Sequence, residues 1–201
     1  MTNYNNLRQL LTKRRLVLAS GSPRRVRLLT EAGIPFRQIV ADIDEREDLH
    51  PDPYHLAVIL AEMKAEAVSG QVNGDEIILG CDTIVVLNGS ILGKPESPEH
   101  AFAILSRLVG QRHTVCSAVA LRAAGGYVSS GYELTNVFFK NVASEKLKQY
   151  IASGEPLDKA GAYGIQKRGG FLVDRYEGNL DNVIGLPMTL LDRLAGEIEL
   201  A

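Results

Sequence analysis

Arg15 to Gly33 reads RLVLASGSPRRVRLLTEAG and holds a strand, a turn and the start of a helix in one short run. Arg15 to Ser20 is apolar enough for a buried strand. Ser22 then offers an N-cap, Pro23 suits the first helical position, and Gly33 supplies a stop after Ala32. A strand that feeds a helix through a tight turn is the building unit of α/β proteins. The rest of the chain extends this reading. Phe36 to Val40 is a short strand. A longer helix is predicted from about Pro53 to Ser69, with Leu56, Ile59, Leu60 and Met63 as its apolar stripe. Glu76 to Leu87 is strand-like, and Asn88-Gly89 after it is a hairpin signal.

Further on, Ser97-Pro98 opens a helix that Gly110 ends. Thr114 to Ala123 and Tyr127 to Lys140 form a long hairpin around Gly125-Gly126. Ser144 is expected to cap a helix that stops at Gly154. Residues 155–170 have mostly turn chemistry, a strand lies near Phe171 to Arg175, and a last helix starts at about Pro187. This order predicts an α/β fold with a mixed sheet, neither a clean βαβ repeat nor all-β.

Composition narrows the class. A chain of 201 residues suits one large domain or one domain with two lobes. The net charge of -2 gives no global basic field, so a nucleic-acid partner is not expected. Cys81 and Cys116 sit inside apolar runs and read as reduced core thiols rather than a disulfide or metal pair. The opening MTNYNNLRQLLTKRR has no apolar stretch of signal-peptide length, and no run approaches a membrane span. A cytoplasmic protein without a membrane partner is the expectation.

Two segments carry unusual charges. In Ser20-Gly21-Ser22-Pro23-Arg24-Arg25, cations crowd a helix N-terminus, where the dipole favours anions. Each such charge is unfavourable by roughly 0.3–1 kcal/mol, and a bound polyanion would reverse the sign. Serine hydroxyls, open amides and guanidinium forks make a phosphate site. The other reading is a capped helix with solvated arginines. In Gly80-Cys81-Asp82-Thr83, an aspartate interrupts an apolar run. An unpaired buried carboxylate is expensive and strands disfavour aspartate. Asp82 is therefore expected at a strand end, facing a metal, a cation or water, unless it is only a turn residue.

Other candidates are isolated. Asp42, Asp44 and Glu45 offer oxygen ligands of the kind hard divalent cations prefer. Lys64 follows Met63 near the expected core boundary, and Lys94 sits in the constrained loop Leu92-Gly93-Lys94-Pro95. Taken singly, each reads better as a solvated surface charge. Small residues surround Asp158, Lys159, Tyr163 and Gln166 in Leu157 to Gln166. A glutamine can pair with a base edge and a tyrosine ring can stack on one. A plain glycine-rich loop is the alternative. His113 stands alone, without a catalytic triad or a zinc spacing, and reads as structural.

The ordered segments LASGSPRRVRLL, DIDE, LAEMKAEA, GCDTIVVLNGSILGKP, LVGQRHTV, YIASGEPLDKAGAYGIQ and GNLDNVIGLP run from about residue 15 to 191. Together they resemble the Maf family of nucleoside triphosphate pyrophosphatases. The resemblance implies an elongated, two-lobed mixed-sheet fold similar to inosine triphosphate pyrophosphatases, with the active site in a central cleft. It implies a single domain over residues 1–201, with a peripheral tail at 1–14, and often a homodimer. The implied reaction is a magnesium- or manganese-dependent attack of water on the α-phosphorus of a nucleoside triphosphate.

By the same resemblance Asp82 is the essential acid, as water activator, metal ligand or both, and Glu45 is the second metal carboxylate. Lys64 and Lys94 match catalytic positions, while Ser20, Ser22, Arg24 and Arg25 match phosphate-binding ones. Tyr163 and Gln166 fall where substrate classes separate, and the wording Gly-Ala-Tyr-Gly-Ile-Gln looks like the dTTP/UTP branch. Cys81, where alanine is common, and Asn136 depart from the family pattern outside the proposed chemistry. Two rival readings are a pyrophosphatase for 7-methyl-GTP or another modified nucleotide, and a non-catalytic nucleotide- or nucleic-acid-binding regulator of division. The family's association with division arrest leaves the second open.

Overall fold

The computed structural model describes residues 4–123 and 125–199, without the side chains of residues 47 and 199. In chain order these residues form α1 (Asn5–Leu10), β1 (Arg15–Leu18), α2 (Pro23–Glu31), β2 (Phe36–Gln38), α3 (Pro53–Ala67), β3 (Glu76–Leu87) and β4 (Ser90–Leu92). Then follow α4 (Pro98–Leu108), β5 (Arg112–Ala123), β6 (Val128–Phe139), α5 (Ser144–Ala152), β7 (Val173–Glu177), α6 (Leu180–Ile184) and α7 (Met188–Glu199). Short 3-10 turns fill much of 155–172. The strands form one mixed sheet in the order β2-β1-β3-β5-β6-β7, with β4 on β3. Strand β1 pairs parallel with β2 and with β3, β4 pairs antiparallel with β3, and β7 pairs antiparallel with β6.

Two compact units divide the chain. The first comprises the described residues of Met1–Asp82, Ser117–Glu133 and Gly185–Ala201. Its part of β3, residues 76–82, is buried on both faces, as a strand of a covered parallel sheet must be. Alternation sends Ile77, Leu79 and Cys81 into the core with Leu16, Leu18, Leu191 and Leu194. Ile78 packs on the other face with Ala19, Ala65 and Val68, the last two from the end of α3 and beyond it. Gly80 and Asp82 share that face by the same period of two. At the start of the strand, buried Glu76 accepts from Arg37 on β2 at 2.6 and 2.9 Å and from the Asn73 amide at 2.7 Å. These donors hold its carboxyl down at about 2.

The segment read as a peripheral tail contains α1, which packs on α7; its residues 1–3 lie outside the described residues. Leu7 and Leu10 enter the core, and the Leu7 amide donates to Asp192 at 2.9 Å. An aspartate far along the chain thus takes up a donor at the open end of a short helix.

The second unit is Thr83–Cys116 with Leu134–Ile184. Val85 and Leu92 join Ile104, Leu105 and Leu108 of α4, Phe139 of β6, and Leu147, Tyr150 and Ile151 of α5 in its core. Asn88 and Gly89 both take positive φ, the type I′ form that the Asn-Gly signal implies. Ser97 accepts from the His100 amide as the cap of α4. Ser144, by contrast, is the first residue of α5, and Ala143 stands at the cap position without a side-chain bond. Strand β7 runs two residues later than expected, with the Arg175 guanidinium 3.6 Å over the Phe138 ring. Asn182 on α6 is fully buried and donates to the Val115 carbonyl and the Thr135 hydroxyl.

Candidate active site

In the first unit the site begins where β1 ends. The Ala19 amide still pairs with Leu79 of β3, and the chain then turns through Ser20, Gly21 and Ser22 into α2. Ser22 occupies the N-cap position, but its hydroxyl makes no capping bond. Its amide donates instead to Ser20 Oγ at 3.2 Å. The buried Ser20 hydroxyl also accepts from Arg25 at 2.9 Å, and Gln38 of β2 donates its carboxamide to the Ser20 carbonyl at 2.7 Å. The turn is therefore braced from two elements. Gln38 was not singled out in the sequence; a polar residue that closes a parallel strand beside a serine turn is the signal that could have found it.

The two arginines part company. Arg25 is buried, and its Nε donates to the Gly185 carbonyl at 2.9 Å. It fastens the Ser20 turn to the chain before α7. Arg24 is half-buried.

Asp82 departs from its expected place at a strand end. It lies inside β3, is 6% exposed, and meets the Lys64 ammonium at 2.6 Å. A buried carboxylate in mid-strand is tolerable because its counter-charge is in contact. Lys64 likewise leaves its expected boundary position. The buried face of α3 is Leu56, Ala57, Leu60, Ala61, Lys64 and Ala65, while Ile59 and Met63 are only half-buried. Small residues line this face because α3 lies almost on the backbone of β3. A Cβ on Gly80 would come within 2.0 Å of the Ala61 carbonyl oxygen. That approach carries Lys64 over Asp82, two residues beyond Gly80 on the same face.

The same ammonium reaches Glu45 at 2.7 Å. Glu45 lies exposed with Asp42 and Asp44 in the loop before α3, and of these it is Glu45 that meets Lys64. Two carboxylates and one ammonium thus converge on a single point. The Cys81 thiol registers the cluster: burial pushes it up to about 11, Arg25 and Lys64 oppose the shift, and Asp82 adds to it. Both cysteines are buried and outside any disulfide. Among the described residues no group of three His, Cys, Asp or Glu side chains gathers around one point. Magnesium usually takes only one or two protein carboxylates and completes its shell with phosphate oxygens and water. The Glu45–Asp82 pair fits that requirement.

Lys94, Tyr163 and Gln166 belong to the second unit. Lys94 is exposed, directly after Gly93, whose carbonyl accepts from the Gly161 amide at 3.1 Å. Gly161 has φ +67 and sits so close to Val85 that a Cβ would meet it at 2.9 Å. Fully buried Ala162 also has a positive φ. Tyr163 does not present its ring to a base. It is a core residue, edge-to-face with Phe139 and His113, and its hydroxyl pairs with His113 Nε2 at 2.8 Å. Burial pushes its phenol well above the ordinary range. His113 is structural, as read, and burial lowers it to about 4. Gln166 is exposed. Glu155, unremarked in the sequence, accepts from Tyr150 and from the amides of Arg168 and Gly169, and so gathers this loop.

A parallel strand β1 that ends at a braced serine turn, and a β3 that carries in mid-strand an aspartate paired with a buried lysine shared by Glu45, define an α/β protein with a charged centre on its sheet. Ligands of open α/β sheets gather outside the carboxyl ends of their strands. The chain belongs to the Maf-like protein family, whose model matches residues 15–198. A dTTP/UTP pyrophosphatase of Desulfitobacterium hafniense (strain Y51) is 49% identical over 180 residues, 87% of this chain and 81% of its own. One of Escherichia coli O6:K15:H31 (strain 536 / UPEC) is 46% identical over 173 residues, 86% and 87% of the two chains. A solved nucleoside-triphosphatase (dITP/XTP pyrophosphatase) from Mycobacterium abscessus superposes at a TM-score of 0.40 with 13% identity, over 64% of this chain and 75% of its own. No helix among the described residues is long and apolar enough to cross a membrane.

Proposed function

We propose that this chain hydrolyses nucleoside triphosphates, dTTP and UTP first, to the monophosphate and pyrophosphate. The observation that carries the reading is the buried Asp82–Lys64 pair with Glu45 on the same ammonium. The two dTTP/UTP pyrophosphatases at 49% and 46% identity support the substrate class. Phosphoryl transfer asks for charge neutralisation and alignment more than covalent chemistry, and these residues supply both.

The positive end of α2 and Arg24 bind phosphate oxygens, and Arg25 holds the Ser20 turn in shape for them. Asp82 takes the proton of the attacking water on a carboxylate oxygen. Lys64 offsets the charge that builds on the phosphate, and Lys94 binds the pyrophosphate as it leaves. Gln166 reads the base. A magnesium or manganese ion on Glu45 and Asp82 would draw phosphate oxygens together and neutralise their charge. The roles of Lys94 and Gln166 rest on residue chemistry and family resemblance. Cytoplasmic location, for which two buried cysteines outside any disulfide speak, and a homodimer, for which the resemblance speaks, complete the reading.

Phosphate colorimetry with and without added inorganic pyrophosphatase tests it across canonical and modified triphosphates. Phosphate that appears only with the auxiliary enzyme identifies pyrophosphate as the product. No release from any triphosphate would leave a nucleotide-binding protein, and release from 7-methyl-GTP alone would move the chain to the modified-nucleotide branch.

A further inference from the structure

We propose that Lys64 is a built-in placeholder cation, occupying the position between Glu45 and Asp82 that a divalent ion takes, so that the nucleotide-free protein binds free metal only weakly. The inference rests on the reading of Glu45 and Asp82 as metal ligands.

One nitrogen lies 2.7 Å from Glu45 and 2.6 Å from Asp82. Both distances are those of charge-assisted hydrogen bonds. Lys64 and Asp82 are buried, at 8% and 6% exposure, so neither charge can fall back on bulk water. The arrangement is not the drift of a surface side chain. Lys64 rises from the buried face of α3 at the point where Gly80 lets that helix touch β3. A buried Asp82 carboxylate with the more exposed Glu45 carboxylate beside it would be repelled and poorly hydrated without a cation, and the ammonium answers both needs.

A divalent ion on the same two oxygens cannot share the position with the ammonium, because like charges would stand in contact. Lys64 must then withdraw. Its flexible four-carbon stem permits this, and its three donors need a new acceptor. Incoming phosphate oxygens are such an acceptor. The site therefore favours metal and triphosphate arriving together over metal alone.

The test is Mn2+ binding without nucleotide, read as free Mn2+ by electron paramagnetic resonance and as heat by titration calorimetry. Wild type is expected to bind weakly. Lys64→Met and Lys64→Gln should each bind at least about tenfold more tightly, since the competing charge is gone. Lys64→Arg keeps the charge and should stay weak, and Glu45→Gln should lose binding. If Lys64→Met or Lys64→Gln folds only when Mn2+ is present, judged by melting temperature, that too supports the placeholder. Equal or weaker Mn2+ binding by both variants would overturn the placeholder and leave the metal pair standing. Mn2+ binding by none of these proteins would overturn the pair as ligands, and the placeholder with it.

Discussion

Gly80 and Ala61 stand closer than any other residue type at position 80 would allow: a Cβ there would lie 2.0 Å from the Ala61 carbonyl oxygen and 2.9 Å from the Ala65 amide nitrogen. Both obstacles are backbone, so no rotamer change relieves them. Gly80→Ala should therefore lift α3 off β3. We expect a loss of more than ~3 kcal/mol, the range of severe overpacking, measured by urea unfolding. Because Lys64 rides on α3, pyrophosphatase activity should fall with stability. Unaltered unfolding would show that α3 can shift without penalty.

Asp82→Asn keeps the shape of the side chain but removes its charge. Lys64 retains Glu45, so the protein should still fold, less stably than wild type. Turnover should fall at least ~100-fold, the lower range for loss of a general base. Circular dichroism and steady-state rates check the two halves separately. A folded variant with near-normal turnover would remove Asp82 from the chemistry.

Neighbouring arginines should give opposite signatures. Arg25 is buried against Gly185 and Ser20, so Arg25→Ala should lower the melting temperature and also impair activity through the turn it braces. Arg24→Ala should weaken substrate use while the melting temperature stays level or rises slightly, because a cation leaves a helix N-terminus. A clear fall in the melting temperature of Arg24→Ala would assign Arg24 to structure.

The sequence made the main elements legible because their signals are local. A near-continuous apolar, β-branched run marked Glu76–Leu87, and proline after serine marked the starts of α2 and α4. What it hid depends on long-range contact. Helix α1 has little periodicity of its own and is held by α7 and Asp192. Asp82 looked like a strand end because its counter-charge, Lys64, is on another element. Lys64 looked like a boundary residue because the stripe of larger apolar residues on α3 drew attention from the alanine face that meets Gly80. Tyr163 seemed available to a ligand because small residues flank it, yet His113 and Phe139 enclose it.

His113 gives the second unit an acid-sensitive point. Its imidazole lies near 4 when folded, against 6.5 unfolded, because burial disfavours the cation. Between those values the unfolded chain binds the extra proton, so stability falls as pH drops through that window. The full effect is roughly 3 kcal/mol. His113→Gln should be less stable at pH 7.5 yet lose less on acidification to pH 4.5, as read from urea midpoints at the two pH values. Parallel losses in wild type and variant would place the acid sensitivity elsewhere.

Base choice should rest on Gln166 and not on the tyrosine three residues before it. Gln166 is exposed, whereas Tyr163 is buried with its hydroxyl on His113. A carboxamide offers a donor and an acceptor, which match the acceptor–donor pattern of a uracil or thymine edge. Cytosine presents a different pattern there. A site built on such bonds discriminates strongly, because a mismatched base leaves polar groups unpaired. Gln166→Glu keeps the acceptor, removes the donor and adds a charge. It should lower kcat/KM for UTP and dTTP far more than for CTP, with little change in melting temperature. Tyr163→Phe should do the reverse: the hydroxyl that meets His113 is lost, so stability should fall while the UTP-to-CTP ratio of kcat/KM holds. The two ratios, measured in wild type and both variants, separate the residue that reads the base from the one that holds the loop. An unchanged ratio in Gln166→Glu would remove Gln166 from recognition, and a shifted ratio in Tyr163→Phe would return that role to the loop's buried tyrosine.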